Sequence, residues 1–177
     1  MKIIFLDTPA FAKQDMIDAF EENEIQCDLF SHPSYQDRVN ASFESDFFKF
    51  VESDHYSFVF SFNYFPILSN CCQKYGIPYV SYVYDCPLTS LYSCSLINSC
   101  NYVFLFDKVT YYTFKNTGIQ TVFYLPLAAN VQRLSKLICP PELCSKLSSE
   151  VSFVGSLYNE DHNFFERLTS ISDYTRG

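Results

Sequence analysis

The sequence predicts an α/β protein built as a Rossmann-like, doubly wound parallel sheet. Short apolar runs rich in β-branched and aromatic residues alternate with amphipathic stretches of about ten residues, the pattern of βαβ units. Runs such as Phe58-Val59-Phe60 and Tyr102-Val103-Phe104-Leu105-Phe106 are apolar on both faces. That is expected of strands covered by helices on both sides. Asp7-Thr8-Pro9 and Asp85-Cys86-Pro87 each follow such a run, which reads as strand, carboxylate, tight turn and helix.

The first strand is drawn at 2 to 6. It resembles the opening of a signal peptide, but Asp7 and Pro9 interrupt it before an apolar core of useful length accumulates. Further strands are expected at 25 to 30, 56 to 62, 79 to 84, 101 to 106 and 121 to 125. Helices are expected near 10 to 23, 43 to 53, 66 to 75, 88 to 97 and 108 to 116. Gly76 and Gly118 fall just past two of them, where a residue with positive φ ends a helix at least steric cost. Right-handed crossovers then suggest the strand order 3-2-1-4-5-6, with the first and fourth strands adjacent. Residues 1–133 make this domain, and 134–150, interrupted by Pro140-Pro141, make a linker with one short helix. Val151-Ser152-Phe153-Val154-Gly155 reads as a new strand and turn, followed by a helix from 161 to 171. One strand and one helix cannot bury a core. Residues 151–177 are therefore expected to be the start of a second, truncated domain.

Composition narrows the function. The chain has 177 residues, 48% hydrophobic and 19% aromatic, with 19 Phe, 14 Tyr and no Trp, too apolar for a disordered segment. Twelve basic against 20 acidic residues give a net charge of -8 without a basic cluster, which disfavours nucleic acid. No apolar run approaches the roughly 18 to 20 residues that span a bilayer, so a soluble, cytoplasmic chain without a transmembrane segment is expected. Eight Cys lack a Cys-x-x-Cys pair, and the three His do not complete a ligand spacing with them. The Cys are read as reduced, mostly buried thiols. With four Gly, neither a dinucleotide fingerprint nor a P-loop can be written, and no Gly-x-Ser-x-Gly elbow is present. A phospho-receiver would need Asp at the end of the third strand, where the chain has Ser61-Phe62-Asn63.

What remains at the carboxyl edge of the sheet, where open α/β sheets bind ligands, is Asp7, Asn63, Asp85, Asp107 and Asn130. Each has a plainer reading. Asp107 suits the N-cap of the helix starting at Lys108. Asn63 and Asn130 suit turns. For Asp7 and Asp85, the following Thr8 and Cys86 take the N-cap and the Pro takes the first helical position, which leaves both carboxylates for other tasks. On adjacent strands, one would raise the other's pKa, as suits a general base. Tyr64, Tyr82, Tyr84, Tyr92 and Tyr124 offer faces on which sugars stack, or simply pack the core. Gly155-Ser156 before a helix is a candidate phosphate contact.

The segments Phe60 to Pro66, Gly76 to Tyr79, Tyr82 to Leu88, Asn101 to Asp107, Tyr124 to Asn130 and Val151 to Tyr158, in this order and spacing, resemble the amino-terminal half of CgeB-like (spore-maturation type) glycosyltransferases. The resemblance implies a GT-B architecture, with an acceptor-side domain and a donor-side domain facing across a cleft. It implies metal-independent transfer from a nucleotide-sugar donor to a hydroxyl acceptor, without a cofactor. Carried over, Asp85, Asn63 and Asn130 face the cleft, and residues 151 to 158 open the donor domain. The expected roles are Asp85 as base or acceptor contact with Asp7 in support; Asn63, Tyr84, Asp107 and Asn130 in substrate binding; and Gly155 and Ser156 at the donor phosphate. An isolated fragment is expected to be inactive and to self-associate through the surface that truncation exposes. The rival expectation is a non-catalytic carbohydrate- or protein-binding module. A hydrolytic enzyme built on Asp7 and Asp85 has no recognisable nucleophile.

Overall fold

The computed structural model describes residues 1–155, in two compact units, Met1–Val131 and Gln132–Gly177. In the first unit, β1 (Lys2–Leu6), β2 (Gln26–Phe30), β3 (Val59–Phe62), β4 (Tyr79–Val83), β5 (Asn101–Leu105) and β6 (Val122–Tyr124) form one parallel sheet. The helices between them are α1 (Lys13–Glu22), α2 (Ala41–Val51), α3 (Pro66–Tyr75) and α4 (Lys108–Asn116). β4 and β5 are joined through two 3₁₀ turns, Thr89–Tyr92 and Cys94–Ile97, in place of the expected helix. Serine side chains account for the difference. Ser93 Oγ accepts from Ser95 N–H at 3.3 Å, and Ser90 Oγ donates to the Tyr64 carbonyl at 2.7 Å, bonds that compete with propagation of a helix.

The Rossmann-like α/β class holds, but the strand order is β2-β1-β3-β4-β5-β6. β3 therefore separates the first and fourth strands, which the sequence reading set side by side. Side-chain chemistry accounts for the correction. β3 is buried along its whole length, whereas β2 carries Gln26, Asp28 and the exposed Leu29. A strand of that polarity belongs at an edge. Asp28 there accepts from Lys2 Nζ at 2.8 Å and from Tyr56 Oη at 2.6 Å, and the Lys2 ammonium, followed by the Tyr56 hydroxyl, holds its carboxyl below the usual range.

Two hydrophobic layers sandwich the sheet. On one side, Ile4, Leu6, Val59, Tyr79, Val103 and Leu105 pack with Phe43 and Phe47 of α2, Leu68 and Cys72 of α3, and Phe114 of α4. On the other, Ile3, Phe5, Phe60 and Phe62 meet Met16, Ile17 and Phe20 of α1. The rings interlock edge to face, Phe5 on Phe60 at 4.9 Å and Phe20 on Phe60 at 5.3 Å. Helix boundaries follow local signals. Asn40 caps α2 by accepting from Phe43 N–H at 3.0 Å, Asp107 caps α4, Pro66 opens α3, and Gly76, at φ 86°, closes it. Thr8 and Cys86 do not act as N-caps. α1 begins only at Lys13, after Ala12, and the Cys86–Pro87 peptide is cis and leads into the first 3₁₀ turn.

Cysteine burial differs from expectation. Cys71 and Cys72 are buried and Cys27 and Cys100 half-buried, but Cys86, Cys94, Cys139 and Cys144 are exposed. All eight are free thiols. α5 (Val131–Ser135) spans the boundary between the units, and α6 (Pro141–Leu147) is the short helix of the expected linker. Residues 151–155 form no strand, unlike the sequence reading, and the helix expected at 161 to 171 lies outside the described residues.

Phe47 is fully buried, so Phe47→Ala is expected to cost about 3–5 kcal/mol in urea unfolding, and a loss below about 1 kcal/mol would contradict this packing. Burial pushes Cys27, Cys71 and Cys100 up to about 11, and it raises the fully buried Cys72 well above the usual thiol value. A thiol reagent at mildly alkaline pH should therefore label the exposed Cys86, Cys94 and Cys144 rapidly and Cys27, Cys71, Cys72 and Cys100 only on unfolding, as peptide mapping would show.

Candidate functional site

From β1 the chain moves outward to β2, then returns past β1 to β3 and onward to β6. The connections leaving β1 and β3 thus diverge. In a doubly wound sheet this switch point opens a crevice beyond the carboxyl ends of the strands, as in the 2-1-3-4-5 order. A cavity of about 410 Å³ lies there, lined by Thr8 after β1, by Asn63 to Pro66 after β3, by Tyr84, Asp85 and Leu88 to Ser90 after β4, and by Tyr35 and Gln36 after β2.

Asn63 organises it. Its φ is +58°, a left-handed conformation that Asn tolerates better than most residues. The turn is fixed from both sides. Asn63 N–H donates to Tyr82 O at 2.9 Å, and its own carbonyl accepts from Ser61 Oγ at 2.7 Å and Ser81 Oγ at 2.9 Å. Beneath, Tyr79 Oη lies 2.7 Å from Ser61 Oγ and accepts from Phe65 N–H at 3.1 Å. Full burial pushes the Tyr79 hydroxyl far up, so it remains a neutral link in this chain. The Asn63 side chain then reaches across to the end of β4. Its Oδ1 accepts from Tyr84 N–H at 3.2 Å and Asp85 N–H at 3.3 Å, and its Nδ2 donates to Asp85 Oδ2 at 2.7 Å. Asp85 is thereby oriented by one amide, with its second oxygen unengaged among the described residues and solvent-accessible.

The other expected site residues divide. Tyr84 is brought beside Asp85, its ring packed edge to face on Phe62 at 5.5 Å. Burial, then the nearby Asp85 charge and Tyr35, raise its hydroxyl, which stays a proton donor at neutral pH. Asp7 does not join Asp85: β3 intervenes, and Asp7 is ion-paired with Lys13. The expected coupling of two adjacent carboxylates is therefore corrected, because the strand order removes their adjacency. Asp107 accepts from Thr110 N–H at 2.7 Å, and this backbone bond holds its carboxyl below the usual range. It serves as the helix cap, and it lines with Asp85 a crevice of only about 10 Å³, room for about one water. Asn130 donates to Asp15 on α1 at 3.0 Å and lies outside the cavity lining. Gly155 belongs to the second unit, and Ser156 lies outside the described residues.

Sequence reasoning missed Tyr35, Phe65 and Thr89 as lining residues. Tyr35 packs edge-on against Phe65 at 5.3 Å. The polar run following β2, Ser31 to Asn40, was the available signal for a loop long enough to overhang the switch point. A second cavity of about 320 Å³ lies on the α1 side of the sheet, among Met16, Phe20, Phe60, Val80, Tyr82 and Phe104, and it is almost wholly apolar. Among the described residues no group of three or more His, Cys, Asp or Glu is placed to hold a metal ion. Among them, too, no helix is long and apolar enough to cross a membrane.

The fold and site define a doubly wound α/β protein with a ligand-sized crevice at its switch point. No family model, curated protein or solved structure matches the chain.

Asn63→Gly removes the side-chain grip but keeps the left-handed turn easy, whereas Asn63→Ala removes the grip and adds strain. The Ala variant should be the less stable by about 1–2 kcal/mol in urea unfolding. Equal midpoints would mean that the turn is not held left-handed in solution.

Proposed function

We propose that the chain is the acceptor-side part of a glycosyltransferase, which moves a sugar from a nucleotide-sugar donor to a hydroxyl acceptor. One observation carries the reading: Asp85 is gripped at one oxygen by Asn63 while the other stays open at a cavity of about 410 Å³. A general base must be positioned before it is tuned, and this carboxylate is positioned. The sequence resemblance supports the reading on the same segments, Phe60 to Pro66 and Tyr82 to Leu88.

In an inverting transfer, the acceptor oxygen attacks the anomeric carbon and forms the new C–O bond. The bond to the nucleoside diphosphate breaks, the electron pair leaves with that phosphate, and the acceptor proton passes to Asp85. Asn63 acts through Asp85 as a positioning residue. The Tyr84 hydroxyl, a donor, holds an acceptor oxygen. Asp7, neutralised by Lys13, takes no part in the proton transfer. A retaining transfer would need no base, and Asp85 would then serve as an acceptor contact.

The rival reading, a carbohydrate-binding module, rests on the same cavity and differs in turnover. In the full-length protein, Asp85→Asn should lower kcat about 10²-fold with little change in acceptor KM if Asp85 is the base. Near-normal turnover would reject that role. Sugar binding by the unsubstituted protein without transfer from any nucleotide sugar would favour the module.

A further inference from the structure

The charges around the Asp85 cavity restrict what can occupy it. Asp85 is the charged side chain in the lining, and among the described residues no Lys, Arg or His lines the cavity. Lys13, near the end of β1, is already matched by Asp7, and Arg38, two residues beyond Gln36, is not a lining residue. One structural element favours anions, the amino end of α3 at Pro66. Its pull is weakened on two counts. Pro66 brings no N–H, and the Phe65 N–H is committed to Tyr79 Oη at 3.1 Å. A helix end carries roughly half a charge, against the full charge of Asp85. The net charge of -8 adds a long-range field of the same sign as Asp85.

The remaining lining is suited to hydroxyls. Asp85 offers an open acceptor, the Tyr84 and Thr89 hydroxyls have no hydrogen-bond partner among the described residues, and Tyr35, Phe65 and Tyr84 supply aromatic surface. We propose that this cavity binds a neutral or amine-bearing polyhydroxylated ligand and rejects phosphorylated or carboxylated ones. A hydroxyl or ammonium donates to the open Asp85 oxygen, while a phosphate or carboxylate at the same place meets a like charge with no lining cation among the described residues to offset it. The inference rests on the reading above only in treating the cavity as the acceptor site.

The test uses one pyranose scaffold in four forms: methyl glucoside, glucosamine, glucuronate and glucose 6-phosphate, with binding to the full chain followed by NMR. Methyl glucoside and glucosamine should bind, glucosamine about fivefold or more tighter, and the two anions at least about tenfold weaker than methyl glucoside. Asp85→Asn should erase the advantage of glucosamine and narrow the penalty on the anions. Should that variant fold poorly, added salt must shrink the glucosamine advantage in the unsubstituted protein. Anions binding as well as the neutral sugar, a ranking indifferent to Asp85 and salt, or binding by none of the four would overturn the proposal. An intact ranking with no transfer by the full-length protein from any nucleotide sugar would sink the glycosyltransferase reading alone, and transfer by it to an anionic acceptor would sink the ligand class alone.

Discussion

The pairing of β1 with β3 is the constraint on which the site depends. Both strands are buried on the two faces of the sheet, apart from the first residue of β1, and both are covered on the two sides, by α1 and by the layer of α2 and α3. Their adjacency drives β2 to the edge, where Asp28 and Gln26 keep access to water, and sends every later strand the other way. The two loops that leave β1 and β3 must then part, and the cavity is the space between them. The side chains lining it decide only what it can hold.

Above that gap, Asn63 couples two strand ends. The polar chain beneath it, from Ser61 and Ser81 to Tyr79 and the Phe65 N–H, is satisfied throughout, and no buried side-chain donor or acceptor lacks a partner among the described residues. Such a network is rigid because an opened member would leave a buried polar group unpaired, at about 1–3 kcal/mol. The left-handed turn of Asn63 is thus over-determined from below, and its amide is free to face upward. Asp85, itself exposed, inherits its orientation from that buried base.

Much of this was legible in the sequence, and the exceptions have physical causes. Strands with uninterrupted apolar runs were readable because burial on both faces demands such runs, and α3 and α4 were bounded by Pro66, Gly76 and Asp107, whose backbone preferences are local. The strand order was not readable from local signals, since it is set by competition among strands for the interior. The polarity of Gln26-Cys27-Asp28 was the available clue that β2 is an edge. Asp85 and Asn63 were singled out by position after their strands, but their hydrogen bond and the separation of Asp7 by β3 are tertiary facts that follow from that order. The exposure of Cys86 and Cys94 follows from their surroundings, Asp85 and Pro87 about the one and Ser93 and Ser95 about the other, in a segment that forms 3₁₀ turns instead of the expected packed helix.

The central place of β1 also bears on how the chain is made. Synthesis delivers first the strand that must end up inside the sheet, and β1 pairs with β2 some twenty residues on, but its other neighbour, β3, begins only at Val59. Until then one edge of β1 and the rings of Phe5 and Phe20 have no sheet to close upon. A nascent chain therefore carries an aromatic strand with one edge unpaired for more than fifty residues, and the core around β1 is completed only when β3 arrives.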